Sequence, residues 1–121
     1  MVQLFRIENG ELPEWDGKSG IYPDQLAPVV HYNSDGLRGL PMMRWGFPPP
    51  PKVKRPVTNV RNLSSGFWSR WLRQPEHRCL VPLTSFCEWS QSTPKTPYWF
   101  ALGNSSDDRT LTAFAGIWRT W

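Results

Sequence analysis

Thirteen prolines among 121 residues cut this chain into short pieces, because each removes a backbone donor and opposes a helix in the residue before it. Pro13, Gly17, Gly20 and Pro23 break the N-terminal region into loops, and the run Pro48–Pro51 cannot continue a sheet and favours an extended linker. What lies between reads mostly as strands. Pro28–Tyr32 and Leu40–Phe47 are β-prone runs separated by the turn Asn33-Ser-Asp-Gly36. Arg78–Pro82 and Ser85–Trp89 are two more, joined by a loop and followed by a Ser/Thr/Pro-rich stretch suited to a hairpin connection. Pro97–Leu102 and Leu111–Trp118 are expected to pair with each other around the turn Gly103–Asp108. One short helix is expected, capped by Ser64 or Ser65, carrying Phe67, Trp68, Trp71 and Leu72 and stopped by Pro75. The expected fold class is mainly β (α+β).

The length bounds residues 1–121 to one domain with a modest core. No run of about eighteen apolar residues is present, and the start Met-Val-Gln-Leu-Phe-Arg-Ile-Glu lacks the regions of a signal peptide. No membrane contact is expected, and the expected location is cytoplasmic. Two cysteines, Cys79 and Cys87, make no disulfide framework, and no Cys/His cluster completes a metal site. His31 and His77 read as surface or loop histidines. No metal or cofactor is expected.

Charge is unevenly distributed. Between residues 38 and 80 stand Arg38, Arg44, Lys52, Lys54, Arg55, Arg61, Arg70, Arg73 and Arg78 against Glu76 alone, whereas the first 35 residues hold six acids. The net charge of +4 understates this polarity. A basic segment interleaved with Trp45, Trp68 and Trp71 suits single-stranded nucleic acid, where arginine neutralises phosphate and indole stacks on unpaired bases. Composition alone gives that reading no more weight than ordinary surface charge around core tryptophans. The run Leu111–Trp118 is followed by Trp121 with no polar cap, so the last strand is expected to lie uncovered at a sheet edge and the chain to lack part of its sheet.

The ordered series Met43-Arg44-Trp45-Gly46-Phe47-Pro48, Asn59-Val60-Arg61, Arg78-Cys79-Leu80-Val81-Pro82, Phe86-Cys87-Glu88-Trp89 and Phe114-Ala115-Gly116-Ile117-Trp118 resembles that of the SOS response-associated peptidase (SRAP) family. The resemblance runs from about Ile21 to Trp121, with weaker support from Tyr22-Pro23-Asp24 and Ala27-Pro28-Val29-Val30. It implies one partial SRAP-like domain over residues 1–121, a partly open β-barrel or sheet with one or two short helices. It also implies a monomer whose partner is single-stranded DNA carrying abasic sites. Members of the family crosslink to such sites. Their N-terminal cysteine, exposed by autoproteolytic removal of the first methionine, closes a thiazolidine on the ring-opened sugar.

Position 2 here is Val2, which has no thiol, and an amine alone gives only a hydrolysable imine. Either the chain is a degenerate member or the true start lies upstream, with Gln3–Arg6 matching the family's first helical region; the second is the favoured expectation. The family's C-terminal histidine, in a His-x-Arg-Met-Pro type segment, has no counterpart in these residues. By resemblance, Asn59 matches the asparagine that holds the opened sugar and Arg61 a phosphate-contacting arginine. Trp45 and Gly46 match a wedge that stacks on bases beside the lesion, with Arg44 and Arg78 as further DNA contacts. Glu88 matches the catalytic glutamate. Its apolar strand predicts a partly buried carboxylate able to shuttle protons, or alternatively one paired with Arg78 or Arg61. Cys79 and Cys87 read as small hydrophobes, since neither carries the α-amine a thiazolidine needs. The alternatives from other classes are a non-catalytic single-strand binder and an inactive gene fragment.

Overall fold

A short first helix, α1 (Val2–Phe5), leads into the chain. The computed structural model describes residues 2–8, 13, 14, 20–105 and 107–121, the side chain of Val2 excepted. The loop readings at Gly17 and the position of Ser106 fall outside these residues, as does the side chain of Val2 itself.

The structure is mainly β, with eight short strands and two short helices among the described residues. β1 (Leu26–Pro28) pairs antiparallel with β4 (Met42–Arg44), and β2 (His31–Tyr32) with β3 (Arg38–Gly39). The turn between β2 and β3 falls where expected. The Asn33 side-chain oxygen accepts from the amides of Asp35 and Leu37, each at 2.9 Å, and Gly36 takes φ +76° at the reversal. The arginine at the start of β3 does structural work: Arg38 donates to the Phe5 carbonyl at 3.1 Å and to the Tyr32 hydroxyl at 2.9 Å.

Between β4 and the second helix the proline tract is not a linker. Phe47 and Val57 exchange backbone bonds at 2.8 and 2.9 Å, so residues 48–56 form a closed excursion that returns the chain to its starting point. Helix α2 (Gly66–Leu72) follows, with the Ser65 hydroxyl accepting from the Phe67 amide at 3.3 Å. A single 3-10 turn, Pro75–His77, ends it at the expected proline.

The C-terminal strands pair differently from the sequence reading. β5 (Arg78–Leu83) pairs antiparallel with β8 (Thr112–Ile117), while β6 (Phe86–Trp89) pairs with β7 (Pro97–Phe100). The runs at 97–102 and 111–118 are therefore not partners across the turn at 103–108. The tight loop at Ser90–Thr96 wins β7 for β6 instead. There Ser90 accepts from the Thr96 amide at 2.8 Å, and the Ser90 amide donates to the Thr96 carbonyl at 2.8 Å. β8 then takes the longer partner, with six residue pairs in register. As expected, it stands at an edge, since each strand has one partner among the described residues.

The core occupies one end of the chain. Ala27, Val29, Val30, Leu40, Phe47 and Trp68 are buried, and none of the described residues after Trp68 is. Phe47 is the hub, its ring lying 5.1 Å from Trp68, 5.6 Å from Trp71 and 6.2 Å from Phe67 in edge-on contacts. Trp68 is thus core rather than an exposed stacking platform. Reciprocal 2.9 Å bonds between Val30 and Leu80 attach β5 to this core.

Candidate functional site

Two chain segments, Trp45–Phe47 and Pro56–Thr58, are closed against each other along a seam. Its backbone part is the Phe47–Val57 exchange. Beside it the Trp45 indole N–H donates to the Thr58 carbonyl at 3.1 Å. Between these, Gly46 takes φ +137°, and a Cβ there would stand 2.6 Å from Cβ of Pro56. Only glycine allows the approach. A tryptophan followed by glycine is therefore required by the seam itself, whatever else the indole does; Trp45 as a whole is 38% exposed.

The residues issuing from the seam line an open depression of ≈ 500 Å³, whose walls include Arg55, Pro56, Val57, Thr58, Asn59 and Arg61, with Asn62, Ser65 and Trp68 beyond. Asn59 and Arg61 are both exposed, and neither side chain has a hydrogen-bond partner within the chain among the described residues. An amide able to donate and accept thus stands beside two guanidinium groups over an apolar floor. That combination suits a phosphodiester with a polar sugar group between its phosphates. Asn62 shapes the exit by accepting from the Ser64 amide at 3.0 Å, which sets Ser65 as the cap of α2.

The other predicted site residues are dispersed. Arg44 is bonded through Nη1 to the Asp24 carbonyl and lies 3.5 Å from the Asp24 carboxylate, so part of its charge is answered at the surface. Arg78 donates to the Leu72 carbonyl at 3.1 Å at the C-terminal end of α2. Glu88 does not line the depression. It lies on β6 opposite Tyr98 and is exposed rather than partly buried. Neither Arg78 nor Arg61 pairs with it; the one ion pair between described side chains here is Arg44–Asp24. The physical reason is that Trp89 and Tyr98 beside it are themselves more than half exposed, so an apolar strand does not bury its one acid.

The histidines also differ from expectation. His77 and His31 are half-buried and flank Trp118, with ring centroids at 5.6 and 5.0 Å. The His77 Nδ1 is 2.9 Å from the Trp118 carbonyl, and the Trp118 indole donates to the Glu76 carbonyl at 3.1 Å. Trp71 stands edge-on to His77 at 4.9 Å. An aromatic seam thus runs from Phe47 to His31 and joins the two ends of the chain; Arg119 sits 5.0 Å over the Trp71 ring. Burial pushes the Cys79 thiol up to about 11, in keeping with a small hydrophobe. Among the described residues no group of three or more His, Cys, Asp and Glu could hold a metal ion. Nor, among the described residues, is any helix long and apolar enough to cross a membrane.

Arg55, Pro56, Thr58 and Ser65 were not singled out as site residues by sequence reasoning. Arg55 carried a signal only as one cation among nine. The role of Thr58 is a backbone carbonyl, which no side-chain pattern can announce.

A family model described as SOS response associated peptidase (SRAP) matches residues 2–121. The chain is similar to the abasic site processing protein YoqW of Bacillus subtilis (strain 168), at 29% identity over 132 residues, covering 100% of this chain and 55% of the relative. The YoqW protein of Bacillus phage SPbeta gives the same figures. The abasic site processing protein YobE of Bacillus subtilis (strain 168) is 28% identical over 130 residues and 57% covered. The chain spans about half the length of these relatives.

Proposed function

This chain belongs to the SOS response-associated peptidase (SRAP) family, and from that premise we propose that it recognises abasic sites in single-stranded DNA at the depression beside Asn59. The observation that carries the reading is the pairing of Asn59 and Arg61, both without side-chain hydrogen-bond partners among the described residues, in one depression with Arg55. Arg61 and Arg55 take the phosphates flanking the lesion, and the Asn59 amide bonds the opened sugar in the space a missing base leaves. The exposed face of Trp45 stacks on the neighbouring base while its N–H stays on Thr58. Arg44 and Arg78 add longer-range attraction to the strand.

The relatives named above are abasic site processing proteins, and the covalent part of the family's chemistry belongs to a thiol at position 2. Val2 offers none. An amine without a neighbouring thiol gives only an imine that water reopens, so a thiazolidine and autoproteolysis of a leading methionine require a cysteine that Val2 does not supply. Glu88 is the residue that would move protons during imine formation. Its position outside the depression favours a second reading, a single-strand binding module without chemistry.

Anisotropy of labelled single strands with and without one abasic site tests the first reading. We expect tighter binding to the lesion, with Arg61→Ala weakening it and lowering the salt slope by about 0.7 for the one phosphate lost. Equal affinity for intact and abasic strands would sink the lesion reading. A denaturing gel separates the two classes: a heat-stable adduct with Val2→Cys alone supports latent chemistry, and no adduct despite lesion-selective binding supports the binding module.

A further inference from the structure

We propose that the aromatic surface spread over β6, β7 and β8 is a docking face for a polypeptide segment equivalent to the part of the abasic site processing relatives that lies outside their match to this chain. The proposal rests on family membership and on this surface, not on the DNA reading.

A strand pair covered on one face alternates apolar and polar residues. This pair does not. β6 reads Phe86-Cys87-Glu88-Trp89 and β7 Pro97-Tyr98-Trp99-Phe100, and in register Phe86 faces Phe100 while Cys87 faces Trp99. Apolar side chains thus stand on both faces, the pattern of strands sandwiched between layers. All four residues of β7 are nonetheless exposed, with Trp99 at 62% and Tyr98 at 55%, and Trp89 on β6 stands at 58%. The surface continues onto β8, because the Phe86 ring stacks 5.3 Å from Phe100 and meets Phe114 edge-on at 5.0 Å. Trp89, Tyr98, Trp99, Phe100 and Phe114 together leave on the order of 500 Å² of aromatic surface in water. Trp89 and Trp99 stand on one face of the hairpin and Tyr98 and Phe100 on the other, and exposed aromatic surface of this extent on a monomer usually marks an interaction site.

Three observations choose the occupant. First, β7 pairs only with β6 and β8 only with β5 among the described residues, so the outer edges of both can receive a further strand. Second, Glu88 is the only Asp, Glu, Lys or Arg in β6, β7 and β8, so these strands carry no cation to hold phosphates, which argues against nucleic acid. Third, aromatic side chains stand exposed on both faces of the hairpin, Trp89 and Trp99 on one and Tyr98 and Phe100 on the other. A two-fold contact with a second copy uses one patch against itself and covers one side, whereas a segment of many residues can pass over both. The relatives possess such a segment, since the match takes in all of this chain and only 55% of YoqW.

The test is co-expression of this chain with the portion of the Bacillus subtilis YoqW protein outside the match, recovered through a tag on that portion. We expect a 1:1 complex by native mass spectrometry, formed without DNA. Hydrogen exchange at residues 97–100 and 112–117 should slow at least tenfold relative to the chain alone. Trp99→Glu should abolish the complex while leaving the urea midpoint of the free chain in place, because that side chain is already largely in water. Should that variant unfold, the exchange map of the unsubstituted complex reads the face directly. Recovery of the tagged portion without this chain would overturn the proposal. So would a complex whose protection lies elsewhere, or a homodimer of this chain that protects the same residues and does not yield to the added portion.

Discussion

Replacing Gly46 with alanine tests whether the seam between Trp45–Phe47 and Pro56–Thr58 is rigid enough to present Asn59. Two costs are separable. The first is backbone: a side chain at φ +137° lies outside the regions L residues prefer and costs about 1 to 3 kcal/mol. The second is steric, because the new methyl would meet Pro56 Cβ at 2.6 Å, far inside ordinary carbon contact; opening a packed seam to admit it costs about 1 to 3 kcal/mol. Gly36 provides the control. It takes φ +76° with nothing within 4 Å of its added Cβ, so Gly36→Ala carries a backbone cost of about 1 to 2 kcal/mol and no collision. Urea unfolding followed by tryptophan fluorescence measures both. Gly46→Ala should fall below Gly36→Ala by about 1 to 3 kcal/mol, and Pro56→Gly placed on top of Gly46→Ala should recover the steric part in a double-mutant cycle. If Gly46→Ala is as mild as Gly36→Ala, and lesion binding survives unchanged, the seam gives way easily and does not position Asn59.

Two further outcomes follow from the core and from the half-buried thiol of Cys79. Phe47→Ala removes the ring that Phe67, Trp68 and Trp71 share and should cost about 3 to 5 kcal/mol, a large fraction of what a small domain possesses; a loss below about 1 kcal/mol in urea melts would show that the cluster is not the core. Cys79, held at about 11 against an ordinary 9.0, should react with iodoacetamide at pH 8 far more slowly than a free thiol. Its raised value also sets a sign: the folded chain keeps the proton where the unfolded chain releases it. Its contribution is therefore complete below pH 9 and is lost as pH rises from about 9 to about 11. Cys79→Ala should show a shallower alkaline decline, and an unaltered decline would contradict the burial.

Much of the local structure was legible because it is written in local chemistry. Asn33 and Gly36 mark their turn, Ser65 and Pro75 bracket α2, and the Ser/Thr-rich loop at 90–96 closes the β6–β7 hairpin as read. Partnership at a distance was not legible. The choice of β5 for β8 depends on which strands remain free once β6 has claimed β7, and periodicity contains nothing about that competition. The proline tract looked like a linker because prolines deny a ladder. Its closure rests on Phe47 and Val57, the residues on either side of it. Asn59 and Arg61 were readable as a motif and do meet in one depression, since they are two residues apart on one loop. Glu88 was readable as a motif too, yet its surroundings depend on what covers the hairpin.

That dependence decides how the two halves of the site relate. The depression at Asn59 and Arg61 is held by the buried half of the chain, through Phe47, Trp68 and the glycine seam, and needs nothing further to offer its groups to a strand. Glu88 sits on the half without a core, among aromatic side chains on both faces of the hairpin, where water solvates its carboxylate. A segment laid over that hairpin would remove the water and leave the carboxylate two outcomes, to take up a proton or to find a cation. The first is what proton transfer to and from an imine requires, and the second is what an arginine at the edge of a DNA groove can supply. On the proposed reading, binding and chemistry would rest on different parts of this fold, recognition on the part that is packed and proton transfer on a carboxylate that gains its environment only when the aromatic face is covered.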